Sequence, residues 1–253
     1  FTKSVLSSVD NSFFGRQGLK VLTTHPSIWF KNMGKSFNII AKGLKGEDAV
    51  AGIRAEIYGR PNSLNGLYEK MKLDVGIMEE AFPSTLPEKI PLFGRVFKAS
   101  GQAFTGSAYR MRADLADLLI KKAQKSGVDM QDKANAQSWG KLINSMTGRG
   151  SIGLGRYEAP VNVLLFSPKF MKSNIDYLTV HMFDRTATKA VKIEAAKNLA
   201  KTVSSIGGVL LLADKLQPGS VEWDPRSSDF GKIRIGDTRF DVTGGLGSFV
   251  TLV

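Results

Sequence analysis

The chain has 253 residues, 42% of them hydrophobic, and its 35 Lys and Arg against 23 Asp and Glu give a formal net charge of +12. Apolar content at this level excludes a largely disordered chain and suffices for one large domain or two smaller ones with real cores. The absence of cysteine excludes disulfides, thiolate metal sites and a cysteine nucleophile, and the basic excess points to anionic partners: nucleic acid, anionic lipid or an acidic protein.

Thr24-His25-Pro26-Ser27-Ile28-Trp29-Phe30 reads as a turn into a helix, with Thr24 or Ser27 as the cap, and a short helix through Phe37–Ile40 follows. Glu47–Tyr58 carries Val50, Ile53 and Ile57 at helical spacing. Gly59-Arg60-Pro61-Asn62-Ser63 breaks it. Leu64–Ala81 is the next predicted helix, with Leu67, Met71, Val75 and Met78 on one stripe, ended by Phe82–Pro87; Pro91 opens a further segment. Phe104–Gly127 reads as an amphipathic helix with Tyr109, Leu115, Leu118 and Leu119 as its apolar stripe and Gly127 as C-terminal cap. Lys133–Met146 is another, with Ala136, Trp139, Leu142, Ile143 and Met146 on one face.

A glycine-rich stretch follows, then the apolar run Pro160–Phe166, then one or two helices across Thr179–Asp214. Lys232–Val242 alternates polar and apolar residues around Gly236-Asp237, the signature of a β-hairpin with a type II′ turn. The expected fold class is mainly α: a multi-helix domain with a small β-hairpin near the C-terminus. The chain starts at Phe1 with no visible signal peptide and stops inside the apolar run Phe249–Val253, so it reads as a piece of a longer polypeptide.

Gly148-Arg149-Gly150-Ser151-Ile152-Gly153 matches G-x-G-x-x-G, the pattern of a dinucleotide-binding turn. That turn needs a strand before it and an acidic residue at the end of a second strand. Here a helix precedes it, Glu158 comes too early and Asp176 has the wrong context, so the glycines read as a helix-to-loop corner. Arg149 and Arg156 make that corner a candidate phosphate contact, with Lys121 and Lys122 as further nucleic-acid candidates. Lys121, Lys122 and Lys125, and Lys189, Lys192, Lys197 and Lys201, are the densest basic pieces and read as solvated helix faces or as a patch.

His25 and His181 have no partner pattern, and neither a nucleophile elbow nor a P-loop is present, so no catalytic residue, metal or cofactor is expected. Asp114 with Asp117, Glu79 with Glu80, and Asp224 with Asp229 read as caps, solvated faces or salt-bridge partners. Thr202–Ala213 is nearly uncharged but holds twelve residues between Lys201 and Asp214, too few to span a bilayer. It reads first as a buried helix end. As an interfacial or packing segment, its candidates are Ile206, Gly207, Gly208 and Leu211. Trp29, Phe30, Lys31 and Lys35 could stack on bases but read better as hydrophobic anchors.

Three segments carry a resemblance: Asp224–Gly245, Asn144–Gly153 and Leu165-Phe166-Ser167-Pro168-Lys169-Phe170. In their order along the chain they are similar to segments of the large polyvalent proteins of tailed phages and mobile elements. The resemblance covers about residues 100–253 and divides the chain into an N-terminal helical region, 1–99, of no recognised type and a helical module, 100–253, ending in the β-hairpin. It implies a non-enzymatic structural or interaction module of an internal virion, or DNA-ejection, protein, located in the virion interior and then in the host cell. The implied partners are other virion proteins (portal, tail or core), further copies of itself, packaged double-stranded DNA, or a membrane.

Overall fold

A computed structural model describes residues 13–75, 93–150 and 168–247. The elements are α1 (Leu19–Thr24), α2 (Pro26–Leu44), α3 (Ala49–Tyr58), α4 (Pro61–Leu64), α5 (Leu67–Lys70), α6 (Phe93–Lys125), α7 (Lys133–Met146), α8 (Pro168–Ile175), a π-helical turn (Asp176–Val180), α9 (His181–Phe183), α10 (Lys189–Leu216), β1 (Lys232–Ile235) and β2 (Thr238–Asp241). The fold is mainly α with a two-stranded antiparallel sheet near the C-terminus.

Helix α6 is the centre of the core. Tyr109, Met111, Leu115 and Leu119 on it are fully buried, each such side chain stabilising the fold by about 1.5–3 kcal/mol. Leu118, expected on the same stripe, is 44% exposed, because it sits a quarter-turn off the Leu115–Leu119 line. Helix α2 packs along α6 through Asn32, Ser36, Ile39 and Gly43, all buried. A Cβ on Gly43 would stand 2.7 Å from the Ala99 Cα, so the two backbones meet there. One continuous helix thus runs through the expected boundary at 99/100, and a single apolar cluster draws on residues from Phe13 to Ala195.

Several ends differ from the sequence reading. Pro26 begins α2 behind His25, and neither Thr24 nor Ser27 caps it; the Thr24 hydroxyl donates instead to the Lys20 carbonyl at 2.6 Å. Asp48 caps α3, accepting from the Val50 and Ala51 N–H groups. The helix expected over Leu64–Ala81 stops at Lys70, where Lys72 turns to φ +53° and the Leu73 N–H bonds back to the Tyr68 carbonyl. The cause is packing: α7 crosses here, and a Cβ on Gly140 would lie 1.9 Å from the Met71 carbonyl oxygen. Leu67, Met71 and Val75 are nonetheless buried. Met78, Glu79, Glu80 and the Pro91 segment start lie outside the described residues.

Helix α7 has the expected bounds, and all five residues of its expected face are buried. The hairpin pairs Lys232 with Asp241 and Ile235 with Thr238. Gly236, at φ +58°, takes the first turn position, as a type II′ turn requires.

Candidate interaction surface

The glycine corner resolves into helix termination. Gly148 is left-handed at φ +81°, its N–H meets the Ser145 carbonyl, and the Arg149 N–H reaches the Asn144 carbonyl at 2.8 Å. That pair of bonds is a Schellman ending for α7. Gly150 has a different duty: its N–H donates to the Lys169 carbonyl, and an added Cβ would stand 2.6 Å from the Ser173 nitrogen. Arg149 turns inward, its Nε 3.2 Å from the Asp74 carboxylate and its side chain 10% exposed. The fully buried Arg112 braces the same corner, donating to the Thr147 hydroxyl at 2.7 Å and to the Thr147 and Asp74 carbonyls. Arg149 therefore has an acidic partner within the chain. Ser151–Gly153, Gly155, Arg156, Glu158 and Pro160–Phe166 lie outside the described residues.

Behind this corner is a polar cluster that no sequence pattern announced. Lys20, 1% exposed, donates to the Ser145 carbonyl at 2.9 Å and to the Ser173 hydroxyl at 3.2 Å, and its ammonium faces the Tyr177 and Phe170 rings. Burial pushes the Lys20 amine down to about 7, the Asp176 carboxylate opposing it. His181 is buried too, its Nε2 2.7 Å from the Ser145 hydroxyl, and burial lowers it to about 4. The Ser145 hydroxyl also donates to the Leu142 carbonyl. A Ser–His contact of this kind suggests a nucleophile and its base, but both groups are enclosed, the Ser145 hydroxyl proton is given to the Leu142 carbonyl, and Lys20 completes the closure. The cluster ties α1, α7, α8 and α9 together. His25 sits apart, its Nδ1 2.9 Å from the Thr24 hydroxyl.

The carboxylates are accounted for in the same way. Arg60 holds Asp114 and Asp117 at 2.8 and 3.0 Å, and Lys31 adds a second cation to Asp114. Despite burial, these bonds hold Asp114 below the usual carboxylate range. Asp224 bonds Arg226, and Asp229 bonds Lys232 and Arg239. No metal-binding group of three His, Asp or Glu occurs among the described residues.

Of the basic candidates Lys121 and Lys122, both exposed, Lys122 forms an ion pair at 2.6 Å with the nearly buried Glu194, linking α6 to α10. Trp29 is an anchor as expected, with its indole N–H on the Phe14 carbonyl.

The largest departure is α10. Its N-terminal half is built into the core through Val191, Glu194, Ala195 and Asn198. Thr202 continues this, its hydroxyl 2.7 Å from the Tyr177 hydroxyl and 2.8 Å from that of Thr23. Past Thr202 the helix leaves the core. Leu210 is buried and Ile206 half-buried, but Val203 is 60%, Val209 49%, Leu211 65%, Leu212 58% and Leu216 78% exposed. The expectation of a buried helix end is overturned. The C-terminal segment around the hairpin packs on this helix at Leu210, beside Gly231, but leaves Val209, Leu211, Leu212 and Leu216 exposed. Ser205, Val209, Leu212 and Leu216, spaced 4-3-4, form one outward stripe. A Cβ on Gly207 or Gly208 would have nothing within 4 Å, so both glycines present open backbone. No helix among the described residues is long and apolar enough to cross a membrane.

No family model, curated protein or solved structure matches the chain.

Proposed function

We propose that this chain is a structural and interaction module of a phage internal virion, or ejection, protein, which docks on its virion neighbours (portal, tail or core) through the C-terminal half of α10. The observation that carries the reading is the uncovered apolar stripe of Val209, Leu212 and Leu216, with Leu211 exposed on the adjoining face, on a helix whose N-terminal half is built into the core. Contiguous exposed apolar surface beyond a few hundred Å² marks an interaction site in ordinary folded chains. Covering each of these leucines would yield about 1–2 kcal/mol. The small residues Ser205, Gly207 and Gly208 allow a partner's backbone to approach closely. The resemblance over residues 100–253 supplies the phage context, and the +12 charge suits a chain that resides beside packaged double-stranded DNA. We assign it no catalytic role, and its place is the virion interior and then the host cell.

The test is incorporation. Leu211→Asp with Leu212→Asp in the full polypeptide should leave folding intact, since both positions are exposed, and should remove the protein from purified particles. Normal incorporation of the double variant would overturn the reading. A second reading, an interfacial membrane segment, has its own observation: Lys197, Lys201 and Lys215 are exposed along the same helix. Binding of the wild-type chain to vesicles containing anionic lipid, lost on Leu211→Asp, would favour it.

A further inference from the structure

Helix α2 carries two apolar stripes on opposite faces. Asn32, Ser36, Ile39 and Gly43, spaced 4-3-4, are buried against α6. Phe30, Gly34, Phe37, Ala41 and Leu44, spaced 4-3-4-3, lie about half a turn away and are all exposed, Phe30 to 57%, Phe37 to 60% and Leu44 to 43%. At 3.6 residues per turn, both sets keep the 3.5-residue repeat of a helix–helix seam. The first seam is filled. The second alternates bulky Phe30, Phe37 and Leu44 with small Gly34 and Ala41, and a Cβ on Gly34 would have nothing within 4 Å. Knobs separated by shallow holes are the surface that another helix fits.

The edges of this seam differ. On one side stand Trp29, Met33 and Ile40, half-buried and packed on the core. On the other stand Lys31, Lys35, Lys42 and Lys45. Asp114 neutralises Lys31, whereas Lys35, Lys42 and Lys45 have no acidic partner among the described residues. Helix α2 contains no Asp or Glu. The acids just beyond it are Glu47, which is exposed, and Asp48, which caps α3.

We propose that this outer stripe of α2 is a docking face for an amphipathic helix of another protein, apolar along one side and lined with Asp or Glu where it meets Lys35, Lys42 and Lys45. Charge complementarity selects that occupant. A second copy of this chain in a two-fold antiparallel pair would set lysine edge against lysine edge, which is repulsive. This face lies on a different helix from the stripe of α10, so the result below leaves that reading untouched.

The experiment is fluorescence anisotropy with the full chain and two labelled synthetic helical peptides of about three heptads. Both carry Leu at the seam positions; one has Glu and the other Lys at the flanking positions. The Glu peptide should bind about tenfold tighter than the Lys peptide, the preference shrinking in high salt. Phe37→Glu should abolish binding of both with an unchanged thermal melt, and Gly34→Glu should do the same at a second exposed position. Lys35→Glu with Lys42→Glu should reverse the preference. Equal affinity for the two peptides, no binding of either, or a dimer of the chain that Phe37→Glu disperses would overturn the proposal.

Discussion

Replacing Lys20 with methionine should flatten the dependence of stability on pH above neutrality. The Lys20 side chain is enclosed, with its nitrogen against the Ser145 carbonyl, the Ser173 hydroxyl and two aromatic rings. Burial brings it from the ordinary 10.5 down to about 7, only partly opposed by Asp176. Lys172, which pairs with Asp176, competes for that carboxylate. Between about 7 and 10.5 the unfolded chain holds the lysine proton and the folded chain does not, so folding releases a proton and stability rises with pH through that window. One full proton released on folding is worth about 1.4 kcal/mol for every step of one in pH. From pH 7 to pH 9 the wild-type chain should therefore gain about 2 kcal/mol that Lys20→Met lacks. The buried Tyr177 phenol is raised and works in the opposite sense only above the ordinary tyrosine range, which is why the comparison stops at pH 9. Urea unfolding followed by far-UV circular dichroism, on both proteins across that range, measures the difference. Parallel stability curves would show that Lys20 keeps its ordinary basicity and that the cluster is open to water, refuting the enclosure on which its structural role rests.

Gly140→Ala should cost about 3 kcal/mol or prevent folding, because its Cβ would collide with the Met71 carbonyl. Gly208→Ala, with open space around it, should raise thermal stability by about 0.5–1 kcal/mol. Lys122→Ala strands the Glu194 carboxylate, whose side chain is 5% exposed, and should lower the urea midpoint by an amount equivalent to about 3 kcal/mol. Arg149→Ala should reduce stability by about 1–3 kcal/mol through loss of its contact with Asp74, while the salt dependence of any DNA binding, measured by titration at several ionic strengths, stays unchanged.

The sequence carried the helices where apolar spacing and end signals agree. Lys133–Met146 is one, with five apolar residues on a single face and a glycine-rich stretch after it. The Lys232–Asp241 hairpin is another, because only glycine suits its first turn position. It misled where tertiary packing overrode local pattern. Leu67, Met71 and Val75 keep helical spacing, yet the helix ends at Lys70 because α7 occupies the space at Gly140. Thr202–Ala213 has the composition of a buried helix end, and composition cannot say that Leu210 alone of its large apolar side chains is fully buried. Arg149 was legible only as a candidate contact for phosphate or an acidic partner, because Asp74, 75 residues earlier, was invisible to local reading. Lys20, Ser145, Ser173 and His181 come from three separate parts of the chain, so their convergence had no signal in one sequence. The sequence reading saw a turn into a helix and a short helix through Phe37–Ile40 where one helix runs from Pro26 to Leu44, and neither of its two faces was read from local pattern.

The most direct test of the proposed function is site-specific photocrosslinking from Leu212 in assembled particles. A photoreactive phenylalanine analogue at Leu212 should form a discrete crosslink to another virion protein, and the same analogue at exposed Lys121, on α6, should not. Leu212 giving no crosslink, or giving the same products as Lys121, would contradict docking through the C-terminal half of α10.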